Sequence, residues 1–309
     1  MIILSNRHRL EWLIASGGLA FDGRGWLWER LLCRLGLIKP HLFTIVTKTL
    51  FLEPWKGNFQ KLAPWKTVKL ISGEGRVINP FLGLMRPHLI KGVVNAVGLT
   101  NRGLKHWLQK DYPVILFNGC RVIVSISGPG GQGCVEMARR LNGLDNIAGI
   151  EFNASCPNTD PALLENADLI VEICHNLKNV SRLPLLLKLS CVQPYVEIAR
   201  RTASVVDAIS INSVPWSVVF PNKKSPLARY GGGGVSGKVI QPFTWGMVYN
   251  LVKETEVPVI GPSVWEYEDI GDLYRFGASA VHFGGVSVPF PWRPTRYVEK
   301  WRKEHSESC

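Results

Sequence analysis

Between Ile147 and Thr159 an apolar run gives way to Asn153, Ser155, Cys156 and Asn158, with Pro157 between the last two. Carboxamides donate and accept hydrogen bonds at once, so a pair of them suits a flat ring that alternates carbonyl and N–H groups; a cysteine beside them can act as a base or a nucleophile. Packing is the competing use, because cysteine is among the most buried residue types. Its position after the apolar run, next to a proline and between two asparagines, favours chemistry. Two lysines stand in comparable settings. Lys48 ends the apolar stretch from His41 to Leu50, and Lys188 lies within the run from Pro184 to Ser190. A buried lysine without a partner is costly, so Lys48 is expected to point into a pocket and Lys188 to face a partner.

Elements that deliver these side chains to one place can be read from the same sequence. Apolar runs begin at Leu13, His41, Arg121, Ile147, Pro184, Val206, Val257 and Ala280, and nearly all end in a polar residue or glycine. Helical patterns alternate with them, including Gly25 to Lys39, Gly130 to Leu141, and a helix capped by Asp160 and Pro161 that is expected to continue to about Lys178. This alternation predicts an α/β fold, a (β/α)8 TIM barrel forming one domain over residues 1–309, with its pocket at the C-terminal ends of the strands. Residues 59–94, punctuated by Trp, Pro and Gly, are expected to form an extended, hairpin-like lid inserted after strand 2.

Composition narrows the classes. With 46% hydrophobic and 19% charged residues, 309 residues suffice for one large core. No apolar run reaches 18 residues and the N-terminus lacks a signal-peptide pattern, so a cytoplasmic protein without a transmembrane segment is expected. The seven cysteines never approach CxxC spacing, which speaks against a metal or iron–sulfur site. Cys174, with Leu163, Ala167, Ile170 and Leu177, falls on the core face of a helix. The net charge of +12 is spread in modest clusters without a nucleic-acid motif, so solvated surface is favoured over nucleic-acid binding. The stretch Gly25 to Lys39 mixes basic with large apolar residues, as membrane-surface helices also do; a first outer barrel helix is favoured because a strand follows directly.

Phe152-Asn-Ala-Ser-Cys-Pro-Asn158 resembles the active-site segment of the class 1 dihydroorotate dehydrogenases, which use cysteine where the membrane-associated class has serine. Ala15-Ser-Gly17, Thr47-Lys-Thr49 followed by Leu-Glu-Pro and Gly57-Asn58, and Asn95-Ala-Val-Gly-Leu99 are similar to further motifs of that family, and the resemblance spans about residues 13–288. It implies an FMN-dependent oxidation of dihydroorotate to orotate, with Cys156 as the catalytic base. The residues implied for substrate are Lys48, Asn95, Ala96, Val97, Gly98, Leu99, Asn153, Asn158, Asn212 and Ser213. Those implied for the flavin are Ala15, Ser16, Lys48, Thr49, Asn153, Lys188, Ile211, Gly237, Gly261, Ser263, Gly284 and Gly285. A homodimer and an electron-transfer subunit are implied as possible partners, and fumarate, NAD or a quinone all remain open as acceptor.

Two departures qualify the match. After strand 7 the chain reads Gly261-Pro-Ser263, and after strand 8 Gly284-Gly-Val286, where the family has Gly-Gly and Gly-Thr; one backbone N–H and one hydroxyl for the phosphate are missing from their usual places. Ser263 is the expected substitute. The alternatives are a dihydropyrimidine dehydrogenase-like flavoenzyme, against which Asn158 stands in place of that group's histidine, and a barrel that has lost FMN and only binds a ligand.

Overall fold

The computed structural model describes residues 1–60, 63–155 and 161–306. Eight apolar segments pair in parallel: β1 (Trp12–Ile14), β2 (Thr44–Val46), β3 (Val122–Ile126), β4 (Ile147–Asn153), β5 (Leu185–Leu189), β6 (Ala208–Ile211), β7 (Ile260–Gly261) and β8 (Ala280–Phe283). Their spatial order is β6-β5-β4-β3-β2-β1-β8-β7. A parallel bridge from Ile209 to Val259 brings the two ends of this order together. The result is a nearly closed eight-stranded TIM barrel. Every residue of these strands is buried, which is why they read as continuous apolar runs and not as alternating ones.

Inward-facing residues are stacked in layers. One residue from each strand, Leu13, Val46, Ile123, Ala148, Leu186, Ala208, Ile260 and Ala280, forms an apolar layer. It is capped by Ile2, Leu4 and Leu10 of an N-terminal hairpin, in which Ile2–Ile3 pairs with Arg9–Leu10. Because side chains alternate along a strand, two residues further on the same faces present Ser125, Lys188, Ser210 and His282. A register irregularity between β3 and β4 keeps Glu151 in this second layer. The barrel interior is thus apolar at one end and polar towards the C-terminal ends of the strands.

The helices differ in detail from the sequence pattern. The expected single helix to Lys178 is two, Pro161–Glu165 and Ala167–Val180, because the Asn166 side chain accepts from the Leu169 N–H and caps the second. The helix expected from Gly130 begins at Cys134, since Gly130, Gly131 and Gly133 all have positive φ. Cys174 is fully buried in the core. The segment after β1 contains α1 (Leu27–Arg34), shorter than its pattern; Leu32 and Cys33 touch the core, but its only buried residue is Glu29.

A second sheet stands on the barrel's C-terminal side. Val68–Ile71 and Val77–Ile78 form an antiparallel hairpin, and the sheet continues through Gly92–Asn95, Gly234–Gly237 and Val214–Pro215. The hairpin leads into α2 (Pro80–Met85). The glycine run 231–234 is therefore structured. A Cβ on Gly233 would lie 2.6 Å from the Asn95 carbonyl oxygen, so only glycine lets this strand meet that residue. No helix among the described residues is long and apolar enough to cross a membrane.

Candidate active site

The C-terminal ends of the strands and the second sheet enclose a cavity of about 900 Å³. At its floor Lys188 and His282 reach the lining from a hydrogen-bonded polar layer that continues beneath them. Ser125 Oγ donates to Glu151 Oε1 at 2.9 Å and Ser210 Oγ to Glu151 Oε2 at 2.9 Å. Lys188 Nζ lies 3.4 Å from Glu151 Oε1, and both residues are buried. A cation placed in an apolar run is thus matched by an anion in the neighbouring strand, which keeps the charge in place at the bottom of the cavity. His282 shares this floor; burial first, and then the Lys188 charge, lower its pKa to about 3, so its ring is neutral near pH 7.

A chain of donors ties the floor to the next layer. Asn153 Nδ2 donates to Thr49 Oγ1 at 3.1 Å, and Thr49 Oγ1 lies 3.0 Å from Ser125 Oγ. Ser125 gives its proton to Glu151 and Ser16 gives its own to the Thr47 carbonyl, so the single Thr49 proton serves either Ser125 or Ser16, which lies 3.2 Å away. Asn153 Oδ1 accepts from the N–H and hydroxyl of Ser155, at 3.3 and 2.7 Å. Ser16 Oγ donates to the Thr47 carbonyl. These bonds fix the Asn153 carboxamide before any ligand arrives. Lys48 is buried beside the Phe21 ring, with Nζ 5.7 Å from its centroid.

The second wall comes from loops that brace one another. Trp55 exchanges both backbone hydrogen bonds with Asn101, and Asn58 Nδ2 donates to the Ala96 carbonyl. A Cβ on Gly57 would lie 2.3 Å from Thr100 Oγ1 and 2.6 Å from the Gly98 carbonyl oxygen, so the Gly57-Asn58 pair belongs physically with the Asn95 to Asn101 loop. Asn212 Nδ2 donates to the Ser155 carbonyl at 3.2 Å, and Ser213 Oγ lies next to Asn212 Oδ1.

The cavity is lined by Ala15, Ser16, Lys48, Thr49, Asn95, Val97, Gly98, Leu99, Asn153, Lys188, Ile211, Asn212, Ser213, Gly237, Ser263, Gly284 and Gly285 among the residues singled out in the sequence. Two do not line it. Ala96 packs into the second sheet with Ile71, Val214 and Val235, and the Cβ position of Gly261 faces Leu273 and Ala278. Cys156 and Asn158 lie outside the described residues. Residues that sequence reasoning passed over are Glu151, Ser125, Ser210 and His282 on the floor, each a lone polar residue in an apolar run, and that interruption was the available signal. Ser287 was also missed: its hydroxyl is buried at the cavity wall without a hydrogen-bond partner among the described residues.

In the loop after β8 a hydroxyl stands at Ser287, while Val286 is fully buried in the core and a Cβ on Gly285 would meet Ser236 Cβ at 2.8 Å. Ser263, with a φ of 64°, accepts from Thr244 Oγ1 at 3.1 Å and sits on the same wall.

Comparison with known proteins agrees with this geometry. The family model described as dihydroorotate dehydrogenase matches residues 79–289. A dihydroorotate dehydrogenase B (NAD(+)) catalytic subunit from Phocaeicola vulgatus is 34% identical over 207 residues, covering 65% of this chain and 68% of the relative. A putative dihydroorotate dehydrogenase A (fumarate) from Solibacter usitatus is 29% identical over 264 residues, covering 80% and 84%. In fold, the chain is similar to the Eimeria tenella DHODH solved in complex with ferulenol, with a TM-score of 0.66 and 16% identity over 96% of this chain and 82% of that one. Since the matched region carries β3 to β8 and most of the polar floor, the chain belongs to the class 1 dihydroorotate dehydrogenase family.

Proposed function

We propose that the chain oxidises dihydroorotate to orotate, a step of pyrimidine biosynthesis, in the cavity above the Glu151–Lys188 pair. The observation that carries this is the convergence of Lys48, Asn95, Asn153, Asn212 and Lys188 on one cavity in a member of this family. Carboxamides from three separate elements suit the carbonyl and N–H groups of the pyrimidine ring, and Lys48 suits its carboxylate. Cys156 takes the proton from ring carbon 5; it directly follows Ser155, whose N–H and hydroxyl are both held by Asn153.

The same cavity fits FMN. Its volume exceeds what one pyrimidine ring requires, and the Ser287 hydroxyl, which has no partner among the described residues, lies beside Gly284 and Gly285 on the wall where barrels of this kind bind phosphate. Ser16, Thr49, Lys188, Gly237, Ser263, Gly285 and Ser287 are the residues assigned to hold it. When bound, FMN supplies the acceptor for the hydride from ring carbon 6. Lys188 keeps a positive charge at the bottom of the site, where negative charge develops, and Glu151 prevents that lysine from swinging away. Val68, Leu70 and Val77 of the hairpin line the cavity mouth, which supports its assignment as a lid.

Binding of orotate and uracil to the FMN-loaded protein, followed by perturbation of the flavin spectrum, tests the assignment of the carboxylate site. Lys48→Ala is expected to weaken orotate by roughly 10- to 100-fold, as for a lost charge-assisted hydrogen bond, with uracil nearly unaffected. Equal losses for the two ligands would place Lys48 on the cofactor or the fold.

A further inference from the structure

Helix α1 is amphipathic in the wrong sense for a barrel helix. Leu27, Leu31 and Leu35 recur at four-residue steps on one face, yet they are 80%, 58% and 64% exposed, while Glu29 on the opposite face is buried. Helix α2 repeats the arrangement: Phe81, Leu84 and Met85 are 73%, 79% and 67% exposed. Both elements border the mouth of the same cavity, through Trp28 on one side and Pro80 on the other. Scattered exposed leucines need no explanation, but two apolar stripes on one rim do.

Charge identifies what covers them. Residues 24–39 and 63–91 contain nine lysines and arginines against Glu29 and Glu74; Arg24 and Arg30 pair with Asp22 and Lys39 with Glu299, so the excess positive charge rests on Arg34, Lys66, Lys69, Arg76, Arg86 and Lys91. Arg34, Lys66, Arg76 and Arg86 are exposed on these segments. Pairing this face with the same face of a second copy would set its cations against each other, which is unfavourable. Apolar side chains interleaved with cations on short helices are instead complementary to the acyl chains and anionic headgroups of a lipid surface. We propose that α1 and α2 form a docking surface for an anionic lipid bilayer, which sets the mouth of the reaction cavity against the membrane. The docking depends on no feature of the catalytic reaction.

Sedimentation of the full chain, FMN-loaded, with vesicles of phosphatidylcholine alone or mixed with phosphatidylglycerol tests this. The protein is expected to sediment with the mixed vesicles, more weakly with phosphatidylcholine alone, and less as salt is raised. Leu27→Ser combined with Leu31→Ser and Leu84→Ser is expected to lower vesicle affinity by at least about 100-fold, since each buried leucine contributes roughly tenfold or more to partitioning. Because all three side chains project outward, circular dichroism and orotate binding of this variant should match the parent. Arg34→Glu with Arg86→Glu should selectively lower binding to the mixed vesicles. The proposal is overturned if the parent ignores both vesicle types, or if a correctly folded triple variant binds them as the parent does. It is equally overturned if the parent is a dimer that the leucine changes dissociate while neither form binds lipid, or if the surface captures an acidic protein partner and no vesicle.

Discussion

On the cavity floor, Ser125, Glu151, Lys188 and Ser210 are buried and joined by contacts of 2.9 to 3.4 Å, whereas on the rim Leu27, Leu31, Phe81 and Leu84 are apolar and face outward. Each region inverts the usual distribution, with polar groups inside and apolar groups outside. Inside, the inversion is tolerated because every charge has a partner within the barrel, and the arrangement holds a cation at a fixed place. Outside, it is tolerated only where another apolar medium covers the surface. The first inversion belongs to the reaction and the second to placement of the molecule, so changes in the two regions should have separable effects.

The largest effect is expected at Cys156, the proposed base. Cys156→Ala should slow flavin reduction by dihydroorotate roughly 100- to 10,000-fold in rapid-mixing experiments, the range for a lost general base, while orotate still binds. Reduction at the parent rate would assign the proton to another group. On the floor, Glu151→Gln leaves Lys188 buried without its anion, and should lower unfolding free energy by about 3–5 kcal/mol in denaturant titrations. Leu31→Ser on the rim should change it by no more than about 0.5 kcal/mol. Similar costs for both would erase the distinction between the regions.

The polar floor was only partly legible in the sequence. Lys188 announced itself as a charge in an apolar run, but its partner Glu151 lies 37 residues away on the adjacent strand, and only strand pairing brings the two together. The barrel was legible because strands buried on both faces leave continuous apolar runs; the N-terminal hairpin was not, since its strands are two residues each. The motif glycines showed where the chain approaches itself, but not that Gly233 does so against Asn95. For α1 the apolar periodicity was visible and its direction was not, because periodicity gives a face without saying what it meets. Ser287 escaped because the hydroxyl was sought at residues 285 and 286.

Smaller effects sharpen the comparison further. Ser287→Ala should weaken FMN by roughly 10- to 100-fold in equilibrium dialysis, as for loss of one hydrogen bond to a charged group, and unchanged affinity would move the phosphate elsewhere. His282 gives the floor a pH signature. With its folded pKa near 3 and an ordinary value of 6.5, the unfolded chain takes up a proton between these values that the folded chain does not. Its contribution to stability is present above about pH 6.5 and is lost as pH falls towards 3. His282→Asn should flatten that part of the stability profile; a slope identical to the parent's would mean the ring is not held neutral.

Oxidation of dihydroorotate in this cavity is tested most directly by the visible spectrum of the FMN-loaded protein mixed anaerobically with dihydroorotate. Bleaching of the oxidised flavin bands, with one orotate formed per flavin reduced, is the predicted result; an unchanged spectrum with FMN demonstrably bound and dihydroorotate in excess would contradict it.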